Sequence, residues 1–579
     1  PADFPVGVTF HQRDTLDEVQ QMMRDVPGVT GIIYDQACAT ERRRLRKRGK
    51  VADVDKRMFI HADVCEGCGD CGIQSNCVAI EPEETAFGRK RRINQSVCNK
   101  DFSCVKGLCP SFVTVEGGTP RKAAAGKLDA ITGGIDLPMP KLPDIAGTHS
   151  TVVAGIGGNG VVTIGAILGM AAHIEGLGVT VLDLSGLAQR NGPVTSHIRL
   201  TRGEATWHVP RIPEGRADVV LGCDLVVSAS AESLSKMARG RTQVVYNSFV
   251  APTSSFATNP NLDFSAGKLA DIIAAKAGEG ALTGVDATAI AVAQLGDAIG
   301  ANMLMVGYAW QKGLIPLTLE ALEGAIRLNG AAVTLNLTAF QLGRIAAVDP
   351  AAPAKWVSGD ARPAEQRTTD QVVDDWADLL TAFDGAPLAQ RYRSLVERVA
   401  EAERGMSGSA ETLTPAVARA YARTLYYKDE YEVARLFSDG SLQKRLAETF
   451  EGDVKLRFNL APPLISRRGP DGRERKREFG PWVLGLYRVL AGMKGLRGTA
   501  FDLFGRNAHR RTERALGGEY EALIERLLGK ATADNLTQLA AIAAAYEGVK
   551  GYSVVKEAKL EQVRKDVVDA EAALEMAQD

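Results

Sequence analysis

Cys65-Glu-Gly-Cys68-Gly-Asp-Cys71-Gly-Ile-Gln-Ser-Asn-Cys77 and, twenty residues further on, Cys98-Asn-Lys-Asp101-Phe-Ser-Cys104-Val-Lys-Gly-Leu-Cys109-Pro110 hold seven of the nine cysteines of this 579-residue chain. The first run contains Cys-x2-Cys-x2-Cys, the spacing that lets three thiolates of one tight loop grip a cubane iron–sulfur cluster. The second run repeats the period with Asp101 in the middle position and then closes on Cys-Pro. Zinc favours paired Cys-x2-Cys or Cys/His sets of four, which this spacing fits poorly. Disulfides fit less well. The cysteines are odd in number and clustered, and no apolar signal segment is evident.

In two-cluster bacterial ferredoxins the fourth cysteine of each run ligates the other cluster. By that rule Cys65, Cys68, Cys71 and Cys109 take one four-iron cluster, and Cys77, Cys98, Asp101 and Cys104 take a second. Every cysteine of the segment is then used. A carboxylate oxygen is a harder ligand than thiolate and holds iron less tightly. The second cluster is therefore expected to lose one iron on oxidation and to sit as a three-iron form. Two features depart from the ferredoxin pattern. The gaps Cys71–Cys77 and Cys104–Cys109 exceed three residues, and Val78 rather than proline follows Cys77.

The length leaves room for about three or four domains. With 69 basic against 70 acidic residues and 45% hydrophobic residues, the composition is that of a soluble protein without the charge excess that suits nucleic acid. No apolar run approaches the roughly 20 residues of a membrane helix, and a cytoplasmic protein is expected. The basic runs Arg42–Arg48, Arg89–Arg92 and Arg467–Arg477 read as solvated loops or docking faces.

The expected fold is multidomain α/β: a small ferredoxin-like iron–sulfur module over 51–118, a Rossmann-like domain over 149–348 and a mostly helical domain over 349–579. Residues 1–50 carry helical spacing at Leu16, Val19, Met22 and Met23, and a short buried strand is expected over Gly28–Tyr34. One helix and one strand cannot bury a core, so this stretch reads as the tail of a larger domain upstream or on another chain. Cys38 lies outside the cysteine spacing and reads as a small buried apolar residue. A Gly/Pro-rich linker spans 119–148.

From Ser150 to Ala154 a β-branched strand enters Gly155-Ile-Gly157-Gly158-Asn-Gly160, then an apolar helix to about Ile174 and a second strand Gly178–Asp183. Glycines at a helix N-terminus let a phosphate or carboxylate approach free backbone N–H groups. Asp183 sits where a ribose-binding acid would in a dinucleotide site. The polar loop that follows, with Gln189, Arg190, Asn191, Ser196 and His197, argues against a nicotinamide cofactor. Further strands are expected at 217–221, 225–228 and 242–247, and helices at 287–312 and 318–328. Without a visible partner His197 is not assigned as a base, so no catalytic residue is named. Cys223 reads as core. Helical patterns follow at 364–383, 387–405, 413–448, 510–529 and 533–547. Tyr426 to Tyr431 form a polar aromatic cluster placed on one helix, and the charged tail from Glu557 is expected to fray.

Together these pieces resemble the 2-oxoacid:ferredoxin oxidoreductase superfamily, and within it the fused indolepyruvate ferredoxin oxidoreductases of bacteria. Asp35-Gln-Ala-Cys-Ala-Thr-Glu-Arg-Arg-Arg44 looks like the end of that family's thiamine-diphosphate domain, which makes 1–50 its C-terminal tail. Cys65 to Pro110 looks like its ferredoxin module. Gly155, Gly157, Gly158 and Gly160, with Gln189, Arg190, Asn191 and Ser196, look like the cofactor- or substrate-facing loop of its γ-type domain. The helical C-terminus is similar to the accessory domain of fused members. One departure matters: the family's thiamine site uses Gly-Asp-Gly, and no Gly-Asp-Gly occurs here. The resemblance thus implies that thiamine diphosphate and magnesium sit on another chain or an upstream segment. It further implies oxidative decarboxylation of a 2-oxoacid to acyl-coenzyme A, passage of electrons one at a time through the clusters to a ferredoxin or similar acceptor, and an oligomeric enzyme.

Two other classes stand beside this one. A stand-alone iron–sulfur electron-transfer subunit for another dehydrogenase would carry the clusters without dependence on a 2-oxoacid. An NAD- or FAD-binding iron–sulfur oxidoreductase would bind dinucleotide at the Gly155–Gly160 loop.

Overall fold

The computed structural model describes residues 4–121, 137–158, 160–185, 192–203, 209–251, 256, 259, 262, 266–357, 367–462, 466–469 and 472–578. Two compact units divide the chain. Residues 1–54 with 99–101 form one, and residues 55–98 with 102–579 form the other.

In the smaller unit the helical spacing gives Leu16–Arg24, and a second helix spans Ala39–Lys47. Lys100 Nζ donates to Asp53 Oδ2 at 2.7 Å and to the Val54 carbonyl at 2.8 Å, which ties the 99–101 segment to the end of the first stretch. Gly28–Tyr34 is not the expected buried strand. It has no strand pairing, and Val29 and Ile33 are exposed. An extended segment needs a neighbouring strand for its N–H and C=O groups, and its apolar alternation alone supplies none. Cys38 is exposed beside the Ala39–Lys47 helix, so its reading as a buried apolar residue is also corrected.

The larger unit is built on two main sheets. Strands β1 (Lys56–Ile60), β2 (Ile80–Glu83), β3 (Lys90–Ile93), β4 (Phe112–Glu116) and β5 (Thr119–Pro120) come first. Then follow β6 (Thr148–Ile156), β7 (Gly178–Ser185), β8 (Pro193–Thr201), β9 (Val219–Gly222), β10 (Gln243–Asn247) and β11 (Leu282–Val285). The last strands are β12 (Phe450–Glu451), β13 (Lys455–Leu460) and β14 (Arg477–Phe479).

The six-stranded sheet runs β11-β10-β9-β6-β8-β7. β6, β9, β10 and β11 are parallel, whereas β8 runs antiparallel to both neighbours, from Thr148↔Thr201 on one side and Gly178↔Thr201 on the other. The β6–helix–β7 unit is therefore present, with β8 inserted between its two strands. The segment 225–228 is a short helix instead of a strand. Asp224 caps it by accepting the Val227 N–H at 2.9 Å, and such a side-chain cap favours a helical start.

Helices Val161–Ile174, Ala301–Gln311, Leu319–Asn329 and Val333–Val348 bury the main apolar core around Trp310 and Phe340. Two of them meet backbone to backbone. A Cβ on Gly343 would stand 2.0 Å from the Leu304 carbonyl, and one on Gly307 2.0 Å from the Phe340 carbonyl. Only glycine fits either place.

The expected boundary between a cysteine module and a helical C-terminal domain is crossed by hydrogen bonds. The second sheet runs β1-β4-β13-β14, so β13 pairs directly with β4 (Phe458↔Val113), and β5 pairs with β12. Chain ends far apart in sequence thus build one layer. Above it the rings of Phe437, Phe458 and Tyr487 pack, Phe437 stacked on Tyr487 at 5.5 Å. The C-terminal helices, among them Thr369–Asp384, Ala386–Ser407, Leu413–Leu425 and Ala508–Leu528, bury another core rich in tyrosine.

Two sequence expectations fail here. The 413–448 pattern is three helices, and Tyr426 to Asp429 form the buried link between the first two. Asp429 ends the link by accepting the Glu432 N–H, a cap that starts a new helix. The tail does not fray: Ser553–Gln578 is one helix, with Leu560, Val563, Val567 and Leu574 buried and Glu571 paired to Arg526 at 3.0 Å.

Glu403 shows how a buried charge orders this region. Its carboxylate accepts the backbone N–H groups of Thr412, Leu413 and Thr414 and the Thr414 hydroxyl, all at 2.6–3.0 Å. These are the open donors at the start of helix Leu413–Leu425. Burial raises the Glu403 pKa, but the four hydrogen bonds outweigh it and the net shift is downward. Its stabilisation is therefore present above the unfolded-state value of about 4.3 and is lost as pH falls through the lower folded value. Glu403→Ala, which strands these donors, is expected to cost about 2–3 kcal/mol, measured by urea denaturation at pH 7.

Candidate functional site: buried cysteines and a glycine loop

The Cys65–Cys71 loop turns through two left-handed glycines, Gly67 (φ 70°) and Gly69 (φ 82°). A Cβ on Gly67 would lie 2.1 Å from the Arg89 carbonyl, so the backbone itself packs there. Gly69 ends the turn and Asp70–Ser75 continues as a helix that carries Cys71. The Asp70 carboxylate accepts the Leu108 N–H at 2.7 Å and pairs with Arg473. That bond brings the end of the second cysteine run against the first. Gly107 completes the approach, since a Cβ there would be 2.8 Å from Cys71 Cα.

Cys65, Cys68, Cys71 and Cys109 are all buried. Burial raises the pKa of Cys65, Cys68 and Cys71, and neighbouring thiols add to the shift. The Cys68 pKa is pushed up to about 12 by burial and by Cys109. Cys65 is raised by burial and Cys109, and Cys71 by burial, Cys109, Cys65 and Cys68. Buried thiols whose ionisation is opposed in this way give up their protons most readily to a positively charged metal group. The Gly67 N–H already points at Cys65 Sγ at 3.3 Å, and Cys109 Sγ lies 2.9 Å from Ser111 Oγ. Among the described residues no three His, Cys, Asp or Glu side chains converge closely enough to hold a single ion. A cubane shares its thiolates among four irons, so its sulfurs need not meet at one point as the ligands of zinc do.

Of the second set, Cys104 is buried in the same small core as Cys65, Cys71 and Cys109, and Cys77 and Cys98 pack against that core. Asp101 falls in the smaller unit with Asn99 and Lys100 and is exposed.

The basic runs are not solvated loops throughout. Lys90 and Arg91 are buried, Arg91 stacks over the Phe256 ring at 4.5 Å, and Arg89 donates to the Leu262 carbonyl at 2.8 Å. Sequence reasoning also missed a set of C-terminal residues that reach the first cysteine loop. Lys428 Nζ donates to the Cys65 carbonyl at 3.1 Å, Lys559 Nζ to the Cys68 carbonyl at 2.9 Å and Tyr552 Oη to the Val64 carbonyl at 2.6 Å. Arg473, which pairs with Asp70, lies in the 467–477 basic run that the sequence did flag, whereas no run or spacing marks Lys428, Tyr552 or Lys559.

The glycine loop sits where β6 meets the Val161–Ile174 helix. Gly158 (φ 91°) and Gly160 (φ 96°) are left-handed, and Gly160 opens the helix. Gly157 N–H is used internally, on the Gly192 carbonyl at 2.8 Å. Gly155 faces the Val161 and Cys223 side chains, and Cys223 is buried core as expected. Ser196 is fully buried on β8, and a Cβ on Gly165 of the helix would meet its Oγ at 2.3 Å. Ser196 therefore packs under the helix. His197 is buried; its Nδ1 accepts the Ile212 N–H at 3.0 Å, and burial followed by Lys236 lowers its pKa to about 4. It is a neutral structural imidazole at neutral pH. Asp183 is exposed near the end of the edge strand β7. Gln189, Arg190 and Asn191 lie outside the described residues.

Residues 150–346 match the pyruvate ferredoxin/flavodoxin oxidoreductase family. Over 198 residues the chain is 32% identical to the indolepyruvate oxidoreductase subunit IorB of Archaeoglobus fulgidus, covering 33% of this chain and 92% of that one. Over 203 residues it is 30% identical to the subunit of the same name from Methanothermobacter thermautotrophicus, covering 35% and 98%. The chain belongs to the 2-oxoacid:ferredoxin oxidoreductase superfamily. Within this superfamily it is related to the indolepyruvate enzymes, and it contains their γ-type part. Among solved structures, the pyruvate oxidoreductase subunit PORC of Thermotoga maritima aligns at 21% identity with a TM-score of 0.25, covering 34% of this chain and 96% of that one. The remaining large match is residues 369–568, to a family of unknown function, DUF6537. This superfamily member therefore joins a γ-type region to a C-terminal region with no assigned role. Among the described residues no helix is long and apolar enough to cross a membrane.

Proposed function

We propose that this chain is the γ-type and electron-transfer portion of a thiamine-dependent enzyme that oxidatively decarboxylates an aryl 2-oxoacid such as indolepyruvate. One observation carries this reading: a single chain joins a region similar to nearly the whole of two indolepyruvate oxidoreductase subunits with a buried cluster of cysteines at iron–sulfur spacing. Cys65, Cys68, Cys71 and Cys109 would hold one four-iron cluster, and Cys77, Cys98, Asp101 and Cys104 a second that gives up one iron readily. When bound, the clusters supply one-electron carriers. The chain's own residues fix the ligands, exclude water and donate the Gly67 N–H to Cys65 sulfur. Thiamine diphosphate and magnesium belong to a partner subunit or segment, since the sequence has no Gly-Asp-Gly. Coenzyme A is the acyl acceptor and a ferredoxin or similar protein the electron acceptor. The Gly155–Gly160 loop, with Gln189, Arg190 and Asn191, would face coenzyme A or that partner.

Anaerobic purification, iron and sulfide assay and EPR before and after dithionite test the clusters. The expected result is about eight irons, or about seven with a three-iron signal that converts when iron is added. Combined with its thiamine-binding partner and coenzyme A, the protein is expected to be reduced by indolepyruvate. Zinc without sulfide would end the redox reading. Clusters reduced without any 2-oxoacid dependence would favour a stand-alone electron-transfer subunit, and reduction by NADH a dinucleotide enzyme.

A further inference from the structure

Lys476 is the one described lysine whose buried Nζ has no hydrogen-bond partner. It stands between β13 and β14, the two strands that the C-terminal region adds to the sheet of the cysteine module. Its ammonium lies 5.0 Å from the centre of the Phe112 ring, and Phe112 is fully buried beneath it. Burial lowers its pKa, while Cys109, Cys71, Asp70 and Cys104 push it back up. Asp70 is already engaged, by the Leu108 N–H and by Arg473. The ring beneath the ammonium belongs to the same small core as Cys65, Cys71, Cys104 and Cys109, so the cysteine sulfurs also lie near it. A buried ammonium without a counter-charge is costly, so its placement points to an anion that belongs among those sulfurs.

The neighbours make the same point for the whole C-terminal region. Lys428 and Lys559 hold the carbonyls of Cys65 and Cys68, Tyr552 holds that of Val64, and Arg473 holds Asp70. Gly551 lies so close that a Cβ there would be 3.4 Å from Cys68 Cβ. All these residues fall within 369–568, the stretch that matches a family of unknown function.

We infer that the 369–568 region is the electrostatic housing of the cluster held by Cys65, Cys68, Cys71 and Cys109, and that Lys476 sets that cluster's reduction potential. This inference rests on the iron–sulfur reading above. A thiolate-bound cluster is anionic, and reduction adds one more negative charge. A fixed positive charge in a dry site favours the reduced form, and hydrogen bonds and net charge around the sulfurs are what tune such potentials. Lys476 is a positioning and tuning residue and ligates nothing.

The test is an EPR-monitored redox titration of the intact protein, following the signal that disappears in Cys71→Ala. In Lys476→Met the reduced-to-oxidised ratio at fixed potential is expected to fall about tenfold, a shift of ~59 mV to more negative values for one electron. Lys476→Arg keeps the charge and is expected to hold the wild-type value, and iron and sulfide are expected to match wild type in both. Should Lys476→Met lose its cluster, Lys476→Gln, which keeps a hydrogen-bond donor, carries the same expectation. A neutral variant with full iron and an unchanged potential would overturn the inference while leaving the cluster reading intact. Absence of iron and sulfide from the wild-type protein would instead remove the cluster reading.

Discussion

Cys71→Ala is expected to strip about four irons and four sulfides from a protein that otherwise carries about eight, and to abolish one of two reduced EPR signals. The geometry makes Cys71 the sharpest place to cut. Its Cα is pressed against Gly107, and its helix is tied through Asp70 to Leu108, so its sulfur cannot be replaced by a small shift of the loop. Burial, Cys109, Cys65 and Cys68 all raise its pKa, so its sulfur lies close to the other three thiols. The substitution removes one sulfur from a buried site, and its packing cost of about 1 kcal/mol leaves the fold in place. Iron loss with an unchanged circular dichroism spectrum is the expected outcome. Full iron in Cys71→Ala would show that this thiol is not a ligand.

How far the sequence reaches can be seen residue by residue. The cysteine spacing put seven cysteines together, and the structure gathers six of them around one small core, because that spacing is a local property of a tight loop. The glycine loop at the head of the Val161–Ile174 helix was equally legible, since φ above zero and close approach are written as glycine. Ser196 was not. Its place in a polar run suggested a binding side chain, but strand alternation turned it inward under Gly165. Least legible of all was the reach of Lys428, Lys476, Tyr552 and Lys559 back to residues 64–109. The pairing of β13 with β4 joins residues as much as 345 apart, such as Phe458 and Val113, and no period or spacing in one sequence encodes a contact of that range. Lys90 and Arg91 show the same limit: a basic run reads as solvent-facing until another part of the chain covers it.

Glu66→Ala is expected to cost about 3–5 kcal/mol, the largest effect of any single change away from the ligands. Glu66 lies between Cys65 and Gly67 and is itself buried. Its carboxylate meets Lys428 Nζ at 2.7 Å and Arg423 at 3.8 Å, with Lys90 and Lys556 also acting on it. Burial alone would raise its pKa; those cations win, and the group is held well below the ordinary carboxylate range. Take the carboxylate away and Lys90 and Lys428, both buried, face each other and Arg423 without compensation. Lys428 also carries the Cys65 carbonyl, so faster loss of iron to a chelator should accompany the lower denaturant midpoint. A double variant decides whether charge is the cause. Glu66→Gln with Lys428→Met removes both buried charges, and pairs replaced together lose far less than pairs broken on one side. The double variant is thus expected to recover a large part of the stability that Glu66→Gln loses alone. If its losses simply add, Glu66 acts through packing and not as the counter-charge of the cations around the first cysteine loop.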